Sequence, residues 1–198
     1  MIGVYFSGTG NTKYAVKAFI RESEPAGETF SIEKENVVEQ ICAHNEIVIG
    51  YPVQFSNLPK ILRDFVVDHS SIWKDKRIFI IATMGLFSGD GAGVLARLLT
   101  RYGALIMGGL HLKMPDSIGD EKALKRTLEQ NQKLVRTAEE KIQRAALELK
   151  ECRPPQDGLG FLKHLTGLFG QRLYFRKKTT TYSDKLKIDP NKCVQCGR

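Results

Sequence analysis

The stretch Ile2-Gly3-Val4-Tyr5-Phe6-Ser7-Gly8-Thr9-Gly10-Asn11-Thr12 changes character halfway along. Ile2 to Phe6 is an apolar run of the length and composition of a buried strand. Ser7 to Thr12 is a loop of small residues, rich in hydroxyls and in glycine. Directly after it, Tyr14, Ala15, Ala18 and Phe19 fall at helical spacing. Strand, small polar loop and helix together form an anion-holding unit. Free N–H groups at the helix start point outward, the helix dipole favours negative charge, and glycine lets a ligand approach the backbone. Ser7, Thr9 and Thr12 can add hydroxyl donors. A nucleotide P-loop needs Lys followed by Ser or Thr after its second glycine, whereas Asn11 follows Gly10 and Tyr14 follows Lys13. A dinucleotide fingerprint needs Gly or Ala where Lys13 stands.

Outward from this unit, strand and helix patterns alternate. Expected strands are 28–32, 46–50, 77–83 and 104–112. The helices between them have inward faces of Val37, Val38 and Ile41; Ile61, Leu62, Phe65 and Val66; and Val94, Leu95, Leu98 and Leu99, the last closed by Gly103. Asp120 is the expected N-cap of a long helix whose stripe runs Leu124, Leu128, Val135, Ala138, Ile142, Ala145 and Leu149, stopped by Pro154-Pro155. Five strands alternating with helices make an α/β fold, a doubly wound parallel sheet covered on both faces, with order 2-1-3-4-5 expected. The ligand of such a sheet lies outside the carboxyl ends of the strands at the switch point between strands 1 and 3. Three loops leave that edge, 7–12, 51–58 and 84–91. The second contains no glycine, and Asn57 is the one residue there with a fair left-handed tolerance, so a peptide flip is expected to cost more than at a glycine.

Ser7-Gly8-Thr9-Gly10-Asn11-Thr12 resembles the phosphate loop of the flavodoxins, S/T-x-T-G-N/H-T, over a similarity that extends to about residue 150. The resemblance implies an FMN site. Ser7, Gly8, Thr9, Gly10, Asn11 and Thr12 would hold the phosphate. Pro52, Val53, Gln54, Phe55, Ser56 and Asn57 would surround the ring together with Thr83, Met84, Gly85, Phe87, Ser88 and Gly89. Tyr51, Phe55 and Phe87 each have a face to offer for stacking or for packing.

Composition bounds the rest. The chain has 198 residues and a net charge of +8, unevenly placed: from Glu151 onward ten Lys and Arg stand against four Asp and Glu. A uniformly nucleic-acid-binding domain is distributed differently. The basic tail reads as a solvated connector or as a docking segment for an acidic partner or anionic surface. Phe161, Leu162, Leu165, Leu168, Phe169, Leu173, Tyr174 and Phe175 within it suggest helical turns packed on the domain. No stretch approaches the ~20 apolar residues of a membrane span. The start lacks the layout of a signal peptide, and four cysteines do not suggest a disulfide framework, so a cytoplasmic location is expected. Cys42 reads as core. His44, His69, His111 and His164 are scattered, and no catalytic triad or carboxylate pair is visible, so no catalytic residue is assigned.

Asp189-Pro190-Asn191-Lys192-Cys193-Val194-Gln195-Cys196-Gly197 resembles the opening of a bacterial ferredoxin module. A lone C-x-x-C is also compatible with zinc or thiol redox chemistry. Joined to the first resemblance, it makes the chain similar to the flavodoxin–ferredoxin fusion proteins. That implies a flavodoxin-like unit over 1–150, a basic connector over 151–187 and a truncated ferredoxin-like start over 188–198. Cys193 and Cys196 would be metal ligands, with 4Fe-4S clusters only in a longer form. The implied function is electron transfer between an iron–sulfur module and a redox partner protein or small-molecule acceptor. The alternatives are a flavin-dependent reductase of a quinone or similar small molecule, and a phosphate-ligand module without redox chemistry.

Overall fold

The computed structural model describes residues 1–54, 56–87, 89–116 and 124–160. Phe55, Ser88, Asp120, Cys193, Cys196 and the apolar tail positions from Phe161 lie outside them. The elements run β1 (Ile2–Tyr5), α1 (Asn11–Ser23), β2 (Thr29–Ser31), α2 (Val37–Ala43), β3 (Glu46–Pro52), α3 (Lys60–Asp68), a 3-10 turn (Ser70–Trp73), β4 (Arg77–Met84), α4 (Gly91–Arg101), β5 (Leu105–Lys113) and α5 (Leu128–Lys150). All strand pairs are parallel and the order is β2-β1-β3-β4-β5, as the alternation predicted.

Strand alternation sends side chains to two cores. Ile2, Val4, Ile47, Ile49, Ile78 and Ile80 face α2, α3 and α4. Tyr5, Val48, Phe79, Ile81 and Leu110 face α1 and α5. Phe19 of α1 stacks on Phe79 of β4 with ring centroids 4.7 Å apart. Two glycines let α1 lie close on this face. A Cβ on Gly50 would sit 2.2 Å from Val16 Cγ2, and one on Gly3 would sit 2.6 Å from Val16 Cγ1. Trp73, the sole tryptophan, is fully buried and donates its indole N–H to Val66 O at 3.0 Å. Lys76 Nζ donates to Cys42 O and His44 O at 2.9 and 2.6 Å, a cation closing the end of α2.

Four expectations need correction. Strand β3 continues through Tyr51 and Pro52, so Tyr51 is a fully buried strand residue and offers no ring face to a ligand. Cys42 is exposed on α2 rather than core, because Val37 and Ile41 define the inward face. Helix α5 starts at Leu128, where Thr127 and Gln130 form a reciprocal capping box; Leu124 precedes the helix and Leu128 is exposed. Its end is set at Cys152, ahead of the two prolines. Cys152 N–H donates to Leu149 O and Arg153 N–H to Glu148 O, a Schellman turn with Cys152 at φ 57°.

After that turn the chain does not leave the domain. Residues 153–160, placed in the connector on sequence, run beside the exposed edge of β5. Gly109 N–H donates to Pro155 O and Asp157 N–H to Gly109 O, both at 2.8 Å, in a parallel bridge that pairs Gly109 with Gln156. Leu159 packs against the core beneath α4. This strap covers a sheet edge that would otherwise present unpaired backbone groups.

Candidate functional site at the carboxyl edge of the sheet

The site begins where β1 gives way to α1. Gly10 is the N-cap of α1 with φ 96°, a conformation costly for any residue with a Cβ. Helix α1 has no side-chain cap and no acidic residue in its first turn. The first N–H groups of the helix are therefore not claimed by a local carboxylate or hydroxyl cap, the usual way they are satisfied. Gly10 N–H donates to Ser7 Oγ at 3.2 Å, closing the loop on itself, and a Cβ on Gly8 would meet nothing within 4 Å.

The loop is tied to its neighbours. Thr12 is buried, and its hydroxyl pairs with that of Thr83 at the end of β4, 2.8 Å apart. Asn11 Nδ2 donates to Pro115 O at 2.8 Å, joining the start of α1 to the chain leaving β5. Backbone bonds carry the sheet outward at the loop stems: Phe6 N–H to Gly50 O at 3.0 Å, Val53 N–H to Thr83 O and Met114 N–H to Met84 O, both at 2.8 Å.

The loop after β3 makes a tight reversal in which Gln54 and Asn57 exchange backbone hydrogen bonds of 2.9 and 2.8 Å. Ser56, fully buried, carries the left-handed backbone at φ 56°. Asn57 Oδ1 accepts from Leu58 N–H at 3.0 Å and from Arg63 at 3.2 Å. The loop after β4 is fixed at its far end. Buried Asp90 pairs with Arg97 at 2.5 Å, and the Tyr51 hydroxyl donates to Gly91 O. Burial, then the Asp90 charge, pushes the Tyr51 phenol far above its usual range, so it stays protonated as a donor.

A cavity of about 300 Å³ lies between these loops. Of the residues singled out from sequence, Ser7, Gly8, Thr9, Asn11, Thr12, Pro52, Val53, Gln54, Thr83, Met84 and Gly85 line it. Gly10 shapes the loop without lining the cavity, Ser56 and Asn57 do not line it, and Phe87 and Gly89 line a second cavity of about 430 Å³. Phe6, Met114, Pro115 and Asp116 also line the first cavity and were missed. Their signal was available: in a parallel sheet every strand ends at the same edge, so the exit of β5 belongs to the site with the other three. Asp116 is the one charged residue among the described lining residues. The rest of the described lining is uncharged and rich in hydroxyls, at the positive end of α1.

A five-stranded parallel sheet with a cavity at its switch point defines a class of doubly wound ligand-binding proteins. A family model described as a flavodoxin domain matches residues 2–114, and the chain belongs to that family. Among solved structures, the chain is similar to the two-electron reduced flavodoxin of Megasphaera elsdenii, 20% identical with a TM-score of 0.54, over 74% of this chain and 99% of that one. It is also similar to the flavodoxin of Fusobacterium nucleatum bound to flavin mononucleotide, 17% identical with a TM-score of 0.53, over 76% and 96% of the two chains. At these identities the likeness concerns the fold. No curated protein matches the chain in sequence. Among the described residues, no helix is long and apolar enough to cross a membrane, and no cluster of His, Cys, Asp and Glu has the form of a metal site.

Proposed function

We propose that the cavity between the four loops holds FMN and that the chain is an electron-transfer flavoprotein. The observation that carries this reading is the uncapped start of α1 beside Ser7 and Thr9. An anion seat without an acidic side chain in its first turn suits a bound phosphate. In this reading the N–H groups of 8–12 and the hydroxyls of Ser7 and Thr9 hold the phosphate, and Asn11 braces the seat through Pro115. Thr12 contributes through the Thr83 pair, which sets where the helix begins. The segments 52–54, 83–85 and 114–116 wall the ring and exclude water from part of it. FMN, when bound, supplies one- and two-electron transfer, while the chain positions it and sets its surroundings.

The test is an FMN titration of the wild type and of Thr9→Val. Loss of one hydroxyl donor to a charged partner is worth roughly 1–3 kcal/mol, about ten-fold or more in affinity. Riboflavin, which lacks the phosphate, should bind weakly to both forms. Equal FMN affinity in the two forms, or riboflavin binding as tightly as FMN, would refute the phosphate assignment.

The ferredoxin-like run supports a second element of the proposal. Residues 188–198 belong to an iron–sulfur module joined by a basic connector to the flavin unit, and Cys193 and Cys196 are two of its cluster ligands. A 4Fe-4S cluster needs four cysteine ligands, so iron and sulfide reconstitution of this chain should give little stable cluster per chain. A stoichiometric cubane spectrum with unpaired chains would overturn the assignment. Reduction of a small-molecule acceptor is the alternative reading, favoured by the second cavity, which shares Met84 with the first. Turnover of a quinone by the FMN-loaded chain with a chemical reductant separates that enzyme from a carrier.

A further inference from the structure

The second cavity has a chemistry of its own. It opens beside the edge of β5, between the loop after β4, helix α5 and the strap, and among the described residues only Met84 lines both cavities. Its volume of about 430 Å³ lies within the range of small-molecule sites, roughly 300–1,000 Å³. Met84, Leu86, Phe87, Leu134 and Ala138 form apolar walls. Leu86 and Phe87 are 49% and 56% exposed, an adjacent apolar pair that a ligand would cover.

The charges around it are unbalanced. Lys113 and Lys141 both line the cavity, against one carboxylate, Asp157. That carboxylate is already engaged: it accepts from His111 N–H at 3.2 Å and pairs with Lys141 at 3.4 Å. The His111 ring accepts the N–H of Ala92 at Nε2, 3.2 Å away. Lys113 has no acidic partner among the described residues. Among the described residues, one ammonium lining this apolar slot therefore has no paired carboxylate.

We infer that this cavity binds a small planar organic anion, a fused aromatic body bearing one carboxylate or sulfonate. The rings lie between Phe87 and Leu134, and the acid group meets Lys113. The inference goes beyond the flavin reading and does not depend on it. A fluorescent, redox-inactive probe, anthracene-2-carboxylate, tests it by polarisation against the whole chain, with its methyl ester as the neutral counterpart. The carboxylate should bind one per chain, the ester at least several-fold more weakly, and added salt should narrow the gap. Lys113→Gln should weaken the carboxylate about ten-fold while leaving the ester unchanged. Thr137→Trp, which fills the slot from α5, should remove binding of both.

Displacement of the probe by FMN would put it in the first cavity and overturn the proposal. So would equal affinity for acid and ester, or an unchanged Lys113→Gln affinity. An FMN titration of the same variants reports separately on the flavin reading, so either can fail alone.

Discussion

Thr12 and Thr83 come from distant parts of the chain and meet through a single hydrogen bond that no solvent reaches. Thr83→Val leaves the Thr12 hydroxyl without that partner, and a buried unsatisfied group costs about 1–3 kcal/mol. Thr12→Val/Thr83→Val removes both partners and should recover most of the loss. Urea unfolding followed by Trp73 fluorescence measures each term, and simple additivity of the two single changes would contradict the pairing. A second prediction concerns Cys152. A left-handed backbone at a residue with a Cβ costs roughly 1–2 kcal/mol, so Cys152→Gly should stabilise the chain by about 1 kcal/mol, read in the same assay. Helix α4 ends with the same pair of hydrogen bonds around Gly103, Gly103 N–H to Thr100 O and Ala104 N–H to Leu99 O. There the glycine announced the turn in the sequence. At the end of α5 a cysteine stands in its place, so the flanking prolines drew the attention instead. Likewise Thr12 was visible from its loop and Thr83 from its strand, but their contact depends on the register of β4 against β3 and β1, which no local pattern encodes.

Helix α1 shows what is legible at the level of elements and what is not. Its start, its apolar face and the strands beneath it follow from periodicity, as does the sheet order. Its height above the sheet does not, because that depends on Val16 meeting Gly3 and Gly50 at once. Gly50→Ala forces a Cβ against Val16 and should destabilise by about 1–3 kcal/mol, as overpacking does. It should also weaken FMN binding, since lifting α1 moves the seat at its start. Val16→Ala in the same chain should restore part of both losses. If stability falls while flavin affinity holds, the helix and the seat are not coupled. The boundary of β3 misled for a related reason. Tyr51 and Pro52 look like loop residues after a short apolar run, yet Tyr51↔Ala82 and Pro52↔Thr83 pairing extends the strand. The tyrosine is held there by its bond to Gly91, more than a sequence window away.

At the scale of the molecule, the strap answers to acid through Asp157. Burial opposes ionisation of Asp157, but the His111 N–H and the Lys141 ammonium outweigh it and hold the carboxyl below its ordinary 3.8. A depressed folded-state value means the stabilisation is fully present above 3.8 and is lost as pH falls through the lower value. Hydrogen exchange at the Gly109 and Asp157 amides should therefore quicken, relative to the sheet centre, only in strong acid, and Asp157→Asn should remove that step. The strap has a further consequence, one of parity. Each strand carries the chain up to the ligand edge and each helix carries it back, so a chain released at the end of α5 would emerge at the opposite floor. The half-pass along β5 changes that count by one. The last described residues therefore come back to the rim, where Asp157 lines the second cavity.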